Sequence, residues 1–172
     1  MLGKKTLFII SLVVCFTIFS CSSDDNYTPI PEPQEIEPQE ISPVIFDITE
    51  VPYQTLSEYN FFEGDMKDMN PVYGVLPYDL NSSLFSDYAK KKRFVWMPEN
   101  VSATYVNDYS SLNFPVGAVL IKNFYYNNVQ PSNSTRIIET RLMINKADGW
   151  IFANYIWNDD QSEAAFSLEG GL

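Results

Sequence analysis

The strongest pattern along the chain is a set of three apolar segments separated by turn residues. They are GAVLIKNFYY (117–126), RIIETRLMI (136–144) and WIFANYIW (150–157). Their β-branched and aromatic residues favour pleated strands, and the Pro, Asn, Ser, Asp and Gly residues between them favour turns. The pattern predicts three antiparallel strands. We therefore expect a mainly β fold, an antiparallel sheet or sandwich-like domain with one or two short helices.

The last two segments flank NKADG (145–149), which fits a five-residue hairpin loop with one residue at positive φ. Symmetric closure of this loop places Leu142 opposite Phe152 on the face that we assign to the core. It places Arg141 opposite Ala153 on the other face. A one-residue slip would exchange the two faces. In this register, Phe152→Asp should destabilise the fold far more than Ala153→Asp.

Two earlier stretches are candidates for short helices. LSEYNFFEG (56–64) suits either a short helix or an entry segment, because its periodicity is brief. NSS (81–83) supplies N-cap residue types before LFSDYAKK (84–91), where Asp87 can pair with a lysine three or four residues later. One short helix is predicted there.

The first twenty residues have the pattern of an export signal. Lys4 and Lys5 precede TLFIISLVVCFTIFS (6–20), an apolar run that is short for a membrane span. The end of this run gives a more specific signal, because IFSC (18–21) resembles a bacterial lipobox. Cleavage would leave Cys21 as the lipidated N-terminus, carrying acyl chains such as palmitate. The alternative is a plain secretory signal in which Cys21 is incidental.

The residues after Cys21 suggest where the protein resides. SSDD (22–25) resembles the acidic signal that sends lipoproteins of the Bacteroidetes type to the outer face of the outer membrane. The predicted location is therefore the outer membrane, with the chain lipid-anchored on its periplasmic or cell-surface side. The segment 21–43 is rich in Pro, Glu and Gln, which predicts an extended acidic tether. The β-rich domain would then span 44–172, and either the gene ends at Leu172 or the sequence is the front part of a longer protein.

Charge excludes one class of partner. The chain has 11 basic and 22 acidic residues. Removal of the signal takes away Lys4 and Lys5 and no acidic residue, which leaves 9 basic against 22 acidic residues and a net charge of −13. Nucleic-acid binding depends on many Lys and Arg side chains that neutralise phosphates, so we expect no nucleic-acid partner.

Most catalytic templates are also excluded. The chain contains no His, which removes imidazole metal ligands, the Ser-His-Asp triad and the Cys-x-x-Cys-His motif of c-type haem. Its glycines form neither GxGxxG nor GxxxxGK. We therefore assign no catalytic, cofactor-binding or metal-binding residue. Acids that could supply a glycosidase pair are more simply solvated surface groups; they are Asp79, Asp87, Glu139, Asp159, Asp160 and Glu163.

Two sets of side chains remain as a tentative ligand or partner surface. Lys91 and Lys92 belong to a run of four basic residues, 90–93, which either pairs with nearby acids or docks an acidic partner. Trp150 and Trp157 could stack on sugar rings, although aromatic strands more often build a core. The polysaccharide alternative depends on two Trp or Tyr rings lying coplanar and exposed on one face.

Four blocks carry a family resemblance: LPYDLNSSLFSDYAKKKRFVWMP (76–98), FPVGAVLIKNFYY (114–126), RIIETRLMI (136–144) and GWIFANYIWNDDQSEA (149–164). Together they resemble the N-terminal region of a family of exported bacterial lipoproteins of the Bacteroidetes type. Some members of that family look like diheme c-type cytochromes.

The resemblance implies the non-haem N-terminal portion of a longer, electron-transfer-associated envelope protein. Haem would be a cofactor only if the full-length protein continued with Cys-x-x-Cys-His. The expected partners are the membrane, through lipidated Cys21, and an envelope protein or a polysaccharide. The alternative functions are a surface carbohydrate-binding protein that uses its aromatic residues and, less favoured, an enzyme that acts on glycans through paired carboxylates.

Overall fold

Antiparallel strands make up most of the regular structure. A computed structural model describes residues 40–82, 85 and 88–169. In chain order the strands are β1 (Phe62–Glu63), β2 (Asn70–Pro71), β3 (Leu76–Tyr78), β4 (Lys90–Trp96), β5 (Val119–Val129), β6 (Ser134–Lys146), β7 (Gly149–Trp157) and β8 (Ala164–Ser167). Two short 3-10 helices, Ser57–Tyr59 and Met66–Asp68, lie before the longer strands. No α-helix occurs among the residues described, and none of their helices is long and apolar enough to cross a membrane.

The six strands β3 to β8 form one sheet in chain order, and every neighbouring pair is antiparallel. β1 and β2 form a separate two-stranded sheet. The mainly β, antiparallel prediction is therefore confirmed. The three predicted strands are present as β5, β6 and β7, and β5 and β6 are longer than their apolar segments indicate.

One face of the large sheet is the core. Phe94, Ile121, Leu142 and Ala153 lie opposite one another on four successive strands, and all four are buried. Residues of the preceding segment pack in the same cluster; they are Val51, Leu56, Tyr59, Phe61, Phe62, Met69, Val72 and Val75. This segment, residues 44–75, is the covering layer of the sheet.

Several polar groups in this core form hydrogen bonds with one another. The Tyr59 and Tyr155 hydroxyls lie 2.9 Å apart, and the Tyr155 hydroxyl also reaches the carbonyl oxygen of Tyr53 at 2.8 Å. Burial, followed by the hydrogen bond with Tyr59, raises the pKa of Tyr155 above its ordinary value. The Trp157 indole donates to the Thr140 hydroxyl at 2.9 Å. These bonds tie the covering layer to β7, and β7 to β6.

The β6–β7 hairpin corrects the predicted register by one residue. Its loop contains only two turn residues, Ala147 and Asp148, so Leu142 lies opposite Ala153 rather than Phe152. Ala153 is 3% exposed and Phe152 is 71% exposed. The assignment of Phe152 to the core and of Ala153 to the other face was therefore wrong, although Leu142 does face the core.

The reason for the shorter loop lies in the two residues that precede β5, Gly117 and Ala118. The backbone N–H of Asn145 donates to the Ala118 carbonyl, and the N–H of Gly117 donates to the Asn145 carbonyl. These bonds keep Asn145 in β6 and leave only two residues for the turn. Gly149, the first residue of β7, has φ +128°, which supplies the expected positive φ next to the turn.

The two helix predictions have different outcomes. Residues 57–59 form a 3-10 helix within the stretch 56–64. The predicted helix over 84–91 is wrong at its end, because Lys90 and Lys91 begin strand β4. Asp87 and its proposed lysine pairing lie outside the described residues.

The predicted signal, Cys21 and most of the tether also lie outside the described residues, which begin at Glu40. Close to the predicted end of the tether, the Ser42 hydroxyl donates to the Tyr73 carbonyl at 2.8 Å. It also accepts a hydrogen bond from the Trp96 indole at 3.2 Å. Ser42 is thus joined both to the covering layer and to β4.

Candidate binding surface on the open face of the sheet

Strand alternation places a second set of side chains on the side of the six-stranded sheet away from the core, which we call the open face. Its apolar row runs Leu76, Val95, Leu120, Met143 and Phe152. Its polar row runs Tyr78, Arg93, Lys122, Arg141, Asn154 and Ser167. A third row runs Lys91, Phe124, Glu139, Ile156 and Ala165. Basic side chains are thus concentrated on the middle strands.

Three of these cations surround one aromatic ring. The Lys122 ammonium lies 4.6 Å, the Arg141 guanidinium 4.8 Å and the Lys91 ammonium 6.0 Å from the centroid of Phe124. The negative face of an aromatic ring attracts cations at such distances. We call Lys91, Lys122, Arg141 and Phe124 the Phe124 cluster. It gathers positive charge on a chain that is acidic overall.

Two carboxylates partly balance this charge. Glu139 is 6% exposed and pairs through Oε1 with Arg141 at 2.5 Å. Its Oε2 is buried and has no hydrogen-bond partner among the residues that the structure describes. Arg93, also 6% exposed, pairs with the exposed carboxylate of Asp79 at 3.0 Å.

Among the residues that the structure describes, Lys91, Arg93, Lys122 and Arg141 lie on the open face together with Glu139 and near Asp79. Their mutual effect is evident in Lys122, whose pKa lies below its ordinary value. The largest cause is burial, followed by repulsion from Lys91, Arg93 and Arg141. The neighbouring Glu139 carboxylate acts in the opposite direction and raises this pKa.

A groove lies at the end of the apolar row. It has a volume of about 780 Å³ between the open face and the loop that precedes β5. Leu120, Met143 and Trp150 line its sheet side, and Phe114 meets the Trp150 ring edge-on with a centroid distance of 6.0 Å. The Asn145 amide holds the loop by donating to the carbonyl oxygens of residues 114 and 115. The groove is lined by apolar and polar side chains in similar measure.

The structure separates the residues that the sequence placed together. Lys91 lies on the open face, whereas Lys92 lies on the core face, where its ammonium donates to the Met69 carbonyl at 2.9 Å. Lys92 therefore fastens β4 to the covering layer, and its proposed role in docking is not supported by its position. Trp150 lines the groove. Trp157 is 6% exposed and belongs to the core, so its position does not support the predicted role as a ligand surface.

Several candidate carboxylates take part in structural contacts. Glu163 accepts hydrogen bonds from both the backbone and the hydroxyl of Ser57. Asp159 pairs with Arg136 at 2.5 Å, and Glu139 and Asp79 pair with arginines on the open face. Within the described ranges no group of three or more His, Cys, Asp or Glu residues is placed to hold a metal ion.

Lys122, Arg141 and Phe124 were not singled out from the sequence. The available signal was one basic residue in the middle of each of two apolar segments, LIKNF and ETRLM. Only the β5–β6 register shows that Lys122 lies directly opposite Arg141 and that Phe124 belongs to the neighbouring row.

The comparisons with known proteins add no assignment: no protein-family model, no curated protein and no solved structure matches this chain. Functional inference therefore depends on the open face and on the sequence patterns of the N-terminal region.

Proposed function

We propose that this chain is a lipid-anchored binding protein of the bacterial cell envelope, and that it binds through the open face of its sheet. The observation that carries this proposal is the combination, on one face, of the Phe124 cluster and the apolar row. Such a surface offers charge, aromatic area and apolar area to a partner. A binding role needs no catalytic constellation, which agrees with a chain that contains no histidine.

The wider role that we propose is that of the non-haem portion of an electron-transfer-associated envelope protein. Its support is the family resemblance of four sequence blocks, three of which overlap β4, β5 and β6. These three strands carry the basic residues of the Phe124 cluster. In this role, the open face would hold a partner protein next to the outer membrane.

The second candidate is a surface carbohydrate-binding protein, and one observation favours it. Trp150 and Phe114 meet in an open groove that also contains the polar side chains of Ser111 and Asn113. Aromatic rings beside hydrogen-bonding groups suit the apolar faces and hydroxyls of a sugar. Trp157 does not contribute to this candidate, because it is buried.

The proposed anchor gives the first prediction. Cys21→Ala should abolish incorporation of labelled fatty acid and move the protein from the membrane fraction to the soluble fraction. The physical reason is that stable membrane attachment needs acyl chains, whose binding energy grows with each buried methylene. Cys15→Ala is the matched control, since Cys15 lies inside the predicted signal and should leave labelling unchanged. Continued labelling of the Cys21→Ala chain would contradict lipidation at this residue.

The binding face is tested with the soluble Cys21→Ala chain and washed outer membranes. Phe152→Glu adds a negative charge to the apolar row at a side chain that is 71% exposed, so the fold should tolerate it. We expect this change to reduce retention on the membranes by about tenfold, because it opposes apolar contact with a partner. Tyr73→Glu, which replaces an exposed aromatic ring outside the six-stranded sheet, should retain normal binding. Equal retention of both variants would contradict binding through the open face.

A further inference from the structure

We propose that the groove beside Trp150 binds a single chain of an uncharged glycan, and that the hairpin 104–113 supplies its hydrogen bonds through Ser111 and Asn113. This inference rests on the second candidate of the proposed function, because it takes the groove to be a sugar site. It goes further by naming the class of glycan and the hairpin side chains that contact it.

The hairpin 104–113 is an ordered wall of the groove. Thr104 and Asn113 form an antiparallel bridge, in which the N–H of each residue donates to the carbonyl of the other at 2.8 and 2.9 Å. The Asn145 amide donates to the carbonyl oxygens of residues 114 and 115, which joins the end of the hairpin to β6. A wall that is already ordered lowers the entropy cost of binding a ligand.

The hairpin presents hydrogen-bonding groups that the protein itself does not use. The side chains of Ser111 and Asn113 line the groove and are exposed. Within the part of the chain that the structure describes, neither the Ser111 hydroxyl nor the Asn113 side-chain amide forms a hydrogen bond. Both groups can donate as well as accept, as sugar hydroxyls do. They are therefore suited to bond a glycan.

The charge of the groove favours an uncharged ligand. Its described lining contains no Asp, Glu or Arg. Lys146 is part of the lining, but its ammonium donates to the Val51 carbonyl in the covering layer at 3.3 Å. An acidic ligand would meet only this bonded lysine and would be repelled by the net charge of −11 on the chain. A cationic ligand would meet no carboxylate in the groove.

The two aromatic rings favour one sugar chain over a flat polysaccharide surface. The planes of Trp150 and Phe114 meet at 83°, so the rings do not form the platform of coplanar rings expected from the sequence. They form two walls of the groove instead. A sugar in this groove places its C–H groups against the rings and its hydroxyls toward the hairpin. The volume of about 780 Å³ lies within the range of ligand sites.

Other uncharged ligands fit less well. An acyl chain would cover Ser111 and Asn113 without bonding to them, which costs free energy. A peptide in the groove would lie over the faces of β5 and β6. The backbones of these strands are paired on both sides at Leu120 and Met143, so the peptide could not add to them as a strand.

The test measures binding of the purified Cys21→Ala chain to four neutral glycans, amylose, laminarin, mannan and dextran, with polygalacturonate as the acidic arm. We expect binding to at least one neutral glycan and none to polygalacturonate. Since no charged group contacts the ligand, the affinity should stay within about twofold as salt rises from about 0.1 to 1 M. Trp150→Ala should lower the affinity by at least about tenfold.

The hairpin is tested by Ser111→Ala with Asn113→Ala. This double variant should lose about tenfold in affinity, because two hydrogen bonds to the glycan are removed. Its thermal unfolding should be unchanged, since neither side chain forms a hydrogen bond within the described residues. The matched control is Asn81→Ala with Ser82→Ala, which changes the same residue types at exposed positions outside the groove. Its affinity should change by less than about twofold.

The possible failures separate the proposals. Binding to polygalacturonate alone, lost in Trp150→Ala, would overturn the uncharged class and leave the carbohydrate-binding candidate standing. Equal affinities of the two double variants would overturn the role of the hairpin. Binding to none of the five glycans would overturn both the inference and that candidate. If Phe152→Glu still reduces retention on outer membranes, the leading proposal of binding through the open face survives each of these results. If Phe152→Glu has no effect either, it fails too.

Discussion

Ala153→Asp is expected to lower the free energy of unfolding by about 3–5 kcal/mol, whereas Phe152→Asp should change it by only about 0.5 kcal/mol. Ala153 is 3% exposed and lies opposite the buried Leu142. A carboxylate at this position would be buried without a cation or a donor to pair with it. Phe152 projects from the open face with 71% of its surface exposed, so a carboxylate there remains solvated.

Chemical denaturation of the two variants measures this difference directly. Ala165→Asp is the matched control, because it makes the same change at an exposed alanine on the neighbouring strand β8. It should behave like Phe152→Asp. A larger loss for Phe152→Asp than for Ala153→Asp would restore the symmetric five-residue loop and contradict the two-residue hairpin.

Trp157→Ala is also expected to have a large effect, a loss of about 3–5 kcal/mol in the free energy of unfolding. The Trp157 side chain is 6% exposed, and its removal would leave a cavity between the sheet and its covering layer. It would also remove the indole hydrogen bond to Thr140. Trp150→Ala should cost only about 1 kcal/mol, because Trp150 is half-buried and its main ring contact is with Phe114.

Thermal or urea unfolding, followed by intrinsic fluorescence, separates the two tryptophans. Trp157→Phe is a useful intermediate, since it keeps much of the buried ring and removes the N–H donor, and should cost less than Trp157→Ala. The opposite ranking, with Trp150→Ala the more damaging change, would indicate that Trp150 belongs to the core and that the groove is closed.

The strands could be predicted from the sequence because their residue types are unambiguous. Segments 117–126, 136–144 and 150–157 concentrate β-branched and aromatic side chains between turn residues. The hairpin register could not be predicted in the same way. Asn145 has no preference that places it in β6, and it stays there because its backbone pairs with Gly117 and Ala118. Backbone pairing with the residues just before β5 thus decided which face Phe152 occupies.

Only part of the candidate site could be predicted from the sequence. The run of basic residues drew attention to Lys91 and Lys92, but alternation along β4 sends these neighbours to opposite faces. Lys122 and Arg141 lie 19 positions apart in sequence and become neighbours only when β5 pairs with β6. The sequence shows that the basic residues are present. The sheet register determines which of them share a surface.

The claim that the open face binds an envelope component is tested most directly by site-specific photo-cross-linking in intact cells. A cysteine-reactive benzophenone would be attached at Phe152→Cys on the open face or at Lys67→Cys in the covering layer. The predicted lipidation would block the native thiol of Cys21, so the introduced cysteine would be the one labelled. We predict a cross-linked product from Phe152→Cys and none from Lys67→Cys. Cross-linking from Lys67→Cys alone, or equally from both positions, would contradict the account.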